Sequence, residues 1–324
     1  MEQPELISCD WGLSTLRVRV LAGSAAPEIL LEYSAARGIA GLAGQQPAEF
    51  GATLQDAILA VFGVAGQTPP PLPVFLSGMV CSSLGWRELP YATLPFPLDG
   101  SQAVICRETL SCPWGRHPLT FVSGIASRDD AMRGEECEVI GLSSGRGPRP
   151  AAEKEVVVLP GTHSKAVEIA EGSVRSFRTY LTGELFDVLC RDSVLRHSVG
   201  PESPVEADEA YEAGVRRSAG EGLLGSLFSV RAQSLLQGIG QRASRRYLSG
   251  LLIGDEVSTV LNSYPVPVSF TLGGSAQLQK LYLRAFELLG AGSRVRALPG
   301  DVTARAASLG HWRLFASAGR HGNA

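Results

Sequence analysis

Long apolar runs are missing from the sequence: none approaches the roughly 18 residues that a membrane helix needs. The opening residues, MEQPELIS, carry acidic groups where a signal peptide would carry basic ones. Basic charge is not in excess either, since 29 lysines and arginines stand against 32 aspartates and glutamates. A nucleic-acid surface needs such an excess to replace the counterions of the phosphates. We therefore expect a cytoplasmic protein whose partners include no membrane and no nucleic acid.

Several familiar site motifs are also absent. The six cysteines form no CxxC pair and accompany no histidine cluster, which argues against zinc and favours reduced thiols. There is no GxxxxGK[ST] string and no GxGxxG between a strand and a helix, so neither a P-loop nor a nicotinamide-binding domain is expected. A GxSxG string at residues 141–145 is followed by RGPRP, which does not open the helix that a serine-hydrolase site needs.

The length and composition describe a folded protein of two domains. The 324 residues correspond to about two domains of ordinary size. With 44% hydrophobic and 19% charged residues, the chain has enough apolar surface to form globular cores. A polar stretch rich in glycine and proline at residues 143–153 predicts a linker. We therefore expect an N-terminal domain over residues 1–150 and a C-terminal domain over residues 151–324.

Hydrophobic periodicity predicts an α/β protein with a coarse internal duplication. One strand ends at Asp10-Trp11-Gly12 and another at Pro160-Gly161-Thr162, and each is followed by a polar loop and a second strand. Residues 85–120 are expected to be largely irregular, and residues 176–262 mostly helical. The other predicted strands are 6–9, 16–21, 28–33, 74–76, 119–122, 156–159, 165–170, 266–272 and 294–298, and the other predicted helices are 47–62, 276–289 and one beginning at 301, with a frayed tail from 317.

The first polar loop has the composition of a phosphate site. A carboxylate such as that of Asp10 can hold Mg²⁺ directly or through water. Glycine lets backbone N–H groups approach phosphate oxygens, and hydroxyls add donors. Arginine adds a planar charged donor. The residues concerned are Asp10, Gly12, Ser14, Thr15 and Arg17.

Two later loops have a similar character. Gly161, Thr162, His163 and Ser164 follow an apolar run that predicts a buried strand. The stretch Gly273-Gly274-Ser275 precedes a predicted helix, where adjacent glycines leave a flat surface for a purine and the helix N-terminus favours anions. Each loop could be an ordinary turn, but three such loops after three β-runs indicate a nucleotide site.

These loops occur together with further motifs, and the whole set resembles one family. The motifs are Asp10-Trp11-Gly12, Gly78-Met79-Val80, Met132-Arg133-Gly134-Glu135-Glu136, Pro160 to Lys165, Leu181 to Leu185, Ser249 to Gly254 and Phe270 to Ser275. From about residue 6 to 310 the chain resembles the 2-oxo-3-deoxygalactonate kinase (2-dehydro-3-deoxygalactonokinase) family. That family belongs to the sugar kinase/actin/heat-shock ATPase superfamily.

The resemblance implies two actin-like (ribonuclease H-like) domains of mixed sheets flanked by helices, with the active site in the interdomain cleft. It implies that ATP and Mg²⁺ are used to phosphorylate the C6 hydroxyl of 2-oxo-3-deoxygalactonate in galactonate catabolism. By the same resemblance, the loop at Asp10 to Arg17 is the first phosphate loop and Gly161 to Ser164 the second. Gly273 to Ser275 is then the adenosine loop.

The proton acceptor and the substrate contacts follow from the same family pattern. Phosphoryl transfer to a hydroxyl needs a base, and Glu135 or Glu136 is the candidate, with Asp10 positioning Mg²⁺. An anionic sugar acid needs a bidentate cation, for which Arg133 and Arg178 are the candidates. Met79, Glu135 and Glu184 complete the expected substrate contacts.

The acceptor, the catalytic role, the hinges and the oligomeric state stay open at this stage. The acceptor could be a related sugar acid such as 2-oxo-3-deoxygluconate, and the fold could also serve an ATP-binding regulatory protein. Residues 143–147 and 299–300 are rich in glycine and are hinge candidates for domain closure. The oligomeric state is not determined, with a homodimer as one alternative.

Overall fold

The computed structural model describes residues 3–23, 27–63, 65–144, 154–200 and 208–321. The chain divides into two units. The first comprises Met1–Ala151, Glu171–Ser176 and Ala304–Ala324, and the second comprises Ala152–Ala170 and Phe177–Thr303. The chain passes from the first unit to the second after Ala151, and its C-terminal segment, from Ala304, belongs to the first unit again.

The strands and helices are numbered here in chain order. The strands are β1 (Leu6–Trp11), β2 (Leu16–Ala22), β3 (Glu28–Ala35), β4 (Val74–Gly78), β5 (Ala92–Thr93), β6 (Phe96–Pro97), β7 (Ile105–Cys112), β8 (Gly115–Val122), β9 (Ile125–Ala126), β10 (Ala131–Met132), β11 (Glu155–Leu159), β12 (Ser164–Ala170), β13 (Ser173–Tyr180), β14 (Ser269–Leu272) and β15 (Val295–Ala297). The helices are α1 (Pro47–Gly63), α2 (Glu135–Ser144), α3 (Thr182–Asp192), α4 (Glu209–Glu221), α5 (Leu223–Ser226), α6 (Ser229–Gln237), α7 (Gln241–Ser263), α8 (Ala276–Leu288), α9 (Gly300–Ala304) and α10 (Ala306–His321). Among the described helices, none has the length and apolarity needed to span a membrane.

The sheet of the first unit has the order β3-β2-β1-β4-β8-β7. Its first three strands are antiparallel neighbours, and β1, β4 and β8 run parallel. Because side chains alternate along a strand, Ile7, Cys9 and Trp11 pack with α1 on one face. Ser8 and Asp10 therefore point to the other face, where Ser8 Oγ lies 2.8 Å from His311 Nδ1 in α10.

The second unit repeats this plan. Its sheet has the order β15-β14-β11-β12-β13, with β11 antiparallel to β12 and parallel to β14. In both units, the first strand (β1 or β11) pairs on one side with the second strand, which in turn pairs with the third. On its other side, the first strand is followed by two parallel strands, β4 and β8 in the first unit and β14 and β15 in the second. This mixed sheet with flanking helices is the actin-like (ribonuclease H-like) fold, so the predicted fold class and the duplication are confirmed.

One local prediction was wrong, and a second, the mostly helical stretch from residue 176, differs from the structure at its first residues. Residues 85–120 contain the long hairpin β7–β8, in which Pro113 and the positive-φ Gly115 belong to the tight turn and do not mark irregular structure. Residues 176–180 belong to strand β13, and helix begins only at Thr182. Buried Val174 and Phe177 stand three residues apart, a spacing that also fits a helix.

The end of the chain also differs from expectation. Helix α10 continues to His321, where a frayed tail was expected from residue 317. It packs on α2 at two glycines: a β-carbon on Gly141 would lie 1.9 Å from the carbonyl oxygen of Ala306, and one on Gly310 would lie 2.0 Å from that of Cys137. This close crossing of helices distant in sequence is why α10 belongs to the first unit. Residues 145–153, the core of the predicted linker and of one hinge candidate, lie outside the described residues.

Candidate functional site

The first predicted phosphate loop joins two paired strands. Asp10 on β1 lies opposite Arg17 on β2, and Arg17 Nη1 is 3.2 Å from Asp10 Oδ2. Burial raises the pKa of Asp10, the guanidinium groups of Arg17 and Arg19 act against that rise, and the charge of Glu135 adds to it. Asp10 is thus a half-buried carboxylate held between cations on one side and an acid on the other.

A neighbouring segment holds this loop by its carbonyl groups. The carbonyl oxygens of Gly12, Leu13 and Ser14 accept hydrogen bonds of 2.9 to 3.1 Å from the N–H groups of residues 38–40. Gly38 has no room for a side chain, because a β-carbon there would lie 2.1 Å from the Leu13 oxygen. The loop carbonyls thus face this segment, and the Gly12 N–H is also used, donating to the Thr15 oxygen at 2.9 Å.

Among the residues that the structure describes, nothing crowds Gly12 so closely that it must be glycine. A β-carbon there would meet only the carbonyl oxygen of Thr15, at an ordinary 3.7 Å. The side chains of Ser14 and Thr15 are exposed. Room at Gly12 that the protein itself does not use fits the close approach of a ligand.

Two glycines bring the start of α2 against the end of β1. Gly78 has φ +91°, and a β-carbon on it would lie 2.8 Å from the Trp11 oxygen and 3.6 Å from Asp10 Oδ1. Gly134 has φ +110°, and its β-carbon would lie 3.3 Å from the Cα of Gly78. The contact places the acidic N-terminus of α2 beside Asp10.

The two candidate bases, Glu135 and Glu136, differ in their surroundings. Glu136 is 1% exposed, and its Oε2 accepts a 2.6 Å hydrogen bond from the Gly134 N–H. Burial and the neighbouring charge of Glu135 raise the pKa of Glu136 to about 8. Glu135 is only half-buried, its Oε2 accepts from the Arg133 N–H at 2.9 Å, and its charge acts on Asp10. Glu136 is therefore built into the helix start, whereas Glu135 belongs to the surface that carries Asp10.

Sequence reasoning missed a third glutamate, Glu138. The pKa of Glu138 is raised to about 8, mainly by burial. The charges of Asp10, Glu135 and Glu136 raise it further, and the charge of Arg17 acts against the rise. Glu138 stands three residues after Glu135, the spacing that places two side chains on one helix face. That spacing was the available signal, but the start of α2 was not recognised as a helix.

Arg133 is occupied by the protein itself. Its Nη1 donates to the carbonyl of Cys81 and its Nη2 to that of Leu89, and its guanidinium lies 4.1 Å from the ring centre of Tyr91. Arg133 thus fixes the backbone next to the glutamates.

Met79 follows Gly78 in a short 3-10 helix and is half-buried against the core.

In the second unit, the loop after β11 is docked against the start of α3. Gly161, Thr162 and His163 lie at the surface of this loop, which we call the second loop (residues 160–163). The N–H of Glu184 donates to the Thr162 oxygen at 3.0 Å, and the Glu184 carboxylate pairs with the His163 ring. A β-carbon on Gly161 would meet nothing within 4 Å. As at Gly12, the open space at Gly161 fits a ligand.

Ser164 does not lie on the open side of the second loop. It is fully buried, and its Oγ donates a 2.6 Å hydrogen bond to Glu256 Oε1. The prediction that Ser164 contacts a phosphate rested on its position in the motif, which does not reveal that β12 begins at this residue and turns the hydroxyl inwards.

The third predicted loop caps a helix as expected. Gly273 N–H donates to the Val158 oxygen at 2.8 Å, and Gly274 has φ +78°. Ser275 is the N-cap of α8 and accepts a hydrogen bond of 3.4 Å from the Leu278 N–H. The loop therefore presents the N-terminus of a 13-residue helix.

A pocket of about 320 Å³ joins the second and third loops within the second unit. Gly161 and Ser275 both line it, and its other walls are mostly apolar side chains. A pocket of this size with apolar walls and a few polar groups is typical of a site for a small molecule or cofactor. The residues that sequence reasoning missed come from α3, α7 and α8: Thr182, Gly183, Phe186, Ser249, Leu252, Ile253, Gln277, Leu278, Leu281 and Tyr282.

Arg178, the other candidate for the carboxylate of the sugar acid, lies in the second unit. Arg178 is exposed on β13 and hydrogen-bonds Tyr180. Across the described ranges, no three His, Cys, Asp or Glu side chains stand close enough to hold a metal ion by themselves.

The chain is similar to named kinases over most of its length. The family model for 2-keto-3-deoxy-galactonokinase matches residues 10–313. A probable 2-dehydro-3-deoxygalactonokinase from Rhizobium meliloti (strain 1021) is 34% identical over 92% of this chain and 93% of that protein. The 2-dehydro-3-deoxygalactonokinase of Escherichia coli (strain K12) is 30% identical over 93% and 94%. A crystal structure from Sinorhizobium meliloti with the same provisional name matches with a TM-score of 0.77 and 32% identity over 93% of this chain and 96% of that one. The chain therefore belongs to the 2-keto-3-deoxy-galactonokinase family of sugar-acid kinases.

Proposed function

We propose that the protein transfers the γ-phosphate of ATP to the C6 hydroxyl of 2-oxo-3-deoxygalactonate. The observation that carries the proposal is the pocket of the second unit, which joins the second loop to the N-terminus of α8. The names of the relatives supply the acceptor. The product, 2-oxo-3-deoxy-6-phosphogalactonate, would be the substrate of an aldolase in galactonate breakdown.

The nucleotide would bind with its base in the apolar pocket. Leu252, Ile253 and Phe186 offer apolar walls, and Ser275 begins the helix whose N-terminus favours negative charge. Gly161 leaves its backbone open to a phosphate, and Thr162 and His163 are exposed beside it. The first loop would bind phosphate through the N–H groups of residues 13–15, and Gly12 would leave room for the phosphate to approach.

The carboxylate of Asp10 fits Mg²⁺, because this ion prefers oxygen ligands and usually takes one or two carboxylates together with substrate phosphates. When bound, the ion neutralises the charge of the phosphates during transfer. Arg17, paired with Asp10, favours the ionised form of that carboxylate against the effect of burial and holds it in place.

We assign the general base to Glu135. Its carboxylate would accept the proton of the C6 hydroxyl as that oxygen forms its bond to the γ-phosphorus. The bond from phosphorus to the bridging oxygen breaks, and that oxygen leaves with ADP. Glu136 would hold the N–H of Gly134 and so fix the start of α2 rather than exchange a proton with substrate.

For the carboxylate of the sugar acid we favour Arg178 over Arg133. The guanidinium of Arg178 is exposed, whereas Arg133 donates to two main-chain carbonyls and stacks on Tyr91. Glu184 and Met79 are retained as expected substrate contacts. His163, which pairs with Glu184, would couple that carboxylate to the second loop.

The test is ADP release in a coupled assay with Mg-ATP and three conditions: 2-oxo-3-deoxygalactonate, its gluconate epimer, and no acceptor. We expect release that depends on the galactonate derivative and is far slower with the epimer. Preference for the epimer would retain the mechanism and change the substrate. ATP binding without acceptor-dependent release would contradict the proposal and favour the regulatory alternative.

A further inference from the structure

We propose that Glu256 is a positioning residue that holds the second loop and the start of α3 in the arrangement needed to bind the phosphates of the nucleotide. This inference rests on the proposed function. Glu256 lies in α7, is 2% exposed and was not among the residues expected from the sequence.

Three hydroxyl groups from three different elements donate to this one carboxylate. Ser164 Oγ, at the start of β12, donates to Oε1 at 2.6 Å. Tyr282 OH, in α8, donates to Oε2 at 2.6 Å, and Thr182 Oγ1, the first residue of α3, donates to the same oxygen. Four elements of the second unit therefore meet at one buried side chain.

A buried carboxylate costs free energy unless its oxygens accept hydrogen bonds. Burial raises the pKa of Glu256, and the hydrogen bonds from Ser164, Thr182 and Tyr282 act against that rise. A core built only for stability would place an apolar residue at such a position, as α7 does at Leu252, Ile253 and Val257. Glu256 is a carboxylate among these buried apolar residues of α7. Its presence there points to a requirement for directional contacts.

Two of those contacts end at walls of the pocket, and the third ends next to the second loop. Thr182 and Tyr282 line it directly, and Ser164 follows the second loop in the chain. The residue after Thr182, Gly183, is packed against Gly161 and Thr162. A shift of the Glu256 carboxylate would therefore displace the loop and the helix start together.

The experiment compares Glu256→Gln and Ser164→Ala with Glu155→Gln as a matched control. Glu155 is also a buried carboxylate of this unit that accepts from a threonine, Thr271, but it stands at the far end of β11 from the second loop. Each full-length variant would be assayed for Tm, for the Kd of Mg-ATP by calorimetry without acceptor, and for KM and kcat.

We expect Glu256→Gln to raise the Kd for ATP about tenfold, because the amide nitrogen cannot accept one of the three hydroxyl hydrogen bonds. Ser164→Ala should raise it too, although this buried side chain cannot touch the ligand. In the double variant the two effects should not add, because they break the same network. Glu155→Gln should lower Tm and leave the Kd unchanged.

The outcomes separate this inference from the proposed function. If the wild-type protein does not bind ATP, the proposed function is wrong. If it binds ATP, but Glu256→Gln and Ser164→Ala lower Tm with no more effect on the Kd than Glu155→Gln, the network serves stability alone and the inference is overturned.

Discussion

Gly183 lies so close to Gly161 that a β-carbon on Gly183 would stand 2.6 Å from the Gly161 carbonyl oxygen. The first turn of α3 and the second loop are therefore in backbone contact. The contact sets the position of a pocket wall, since both glycines line the pocket.

Gly183→Ala should move the second loop. The added methyl group must displace backbone, which we expect to cost about 1–3 kcal/mol of unfolding free energy and to raise the KM for ATP. Gly220→Ala is the control, since a β-carbon on Gly220 in α4 would meet nothing within 4 Å. Equal KM values for the two variants would show that the contact does not shape the nucleotide site.

Gly161→Ala should have the opposite signature. The protein leaves space for the methyl group, so Tm should not fall and the unfolding free energy should change by less than about 0.5 kcal/mol. If a phosphate approaches this backbone, the KM for ATP should rise roughly 10- to 100-fold. Gly225→Ala, where a β-carbon also meets nothing, provides the matched control. An unchanged KM in Gly161→Ala would place the phosphates elsewhere.

The support of the first loop can be tested with two glycines three residues apart. Gly38→Ala would press on the backbone of Leu13 and Ser14 at 2.1 to 2.3 Å, so we expect a loss of about 1–3 kcal/mol of stability and weaker ATP binding. A β-carbon on Gly41 would meet nothing within 4 Å, so Gly41→Ala should resemble wild type. Urea unfolding and ATP titration of both variants measure the difference. Wild-type ATP affinity in a folded Gly38→Ala protein would contradict the role given to residues 38–40.

Glu135→Gln and Glu136→Gln should separate the base from its neighbour. Glu135→Gln should lower kcat roughly 100- to 10,000-fold, the usual contribution of a general base, with little change in Tm. Glu136→Gln keeps an oxygen that can accept from the Gly134 N–H, so its kcat should fall less than tenfold. Rapid-quench measurement of the transfer step distinguishes chemistry from product release. The reverse order of the two effects would assign the base to Glu136.

Glu136 should also make stability depend on pH. Its pKa is about 8 in the folded protein and near 4.5 when unfolded, so the folded state holds a proton that the unfolded state has released. Its stabilising contribution is complete below about pH 4.5 and is lost as the pH rises towards 8. The unfolding free energy of wild type minus that of Glu136→Gln should therefore decrease between pH 5 and 8 in urea titrations. Taking the difference cancels other titrating groups, such as buried His311, whose pKa is lowered to about 3. A difference that is independent of pH would contradict the raised pKa of Glu136 in the folded protein.

The parts of the site that local patterns specify were predictable. Alternation along residues 16–21 predicted the strand that carries Arg17, and the stretch Gly273-Gly274-Ser275 was predicted to precede the helix that is α8. Glu256 and Glu138 were missed because their importance depends on which elements meet in space. Burial of Ser164 was missed for the same reason, since a loop motif does not state which side chains turn inwards. The return of α10 to the first unit depends on Gly141 and Gly310, which are far apart in the chain.

That return has a consequence for the order in which the protein is assembled. On the ribosome, residues 177–303 emerge before α10, so the second unit can fold while the face of β1 that carries Ser8 and Asp10 still lacks its covering helix. The first unit completes its core only when the last described helix is released. Truncation after residue 303 should consequently unfold the N-terminal sheet and its first loop, while the pocket of the second unit survives.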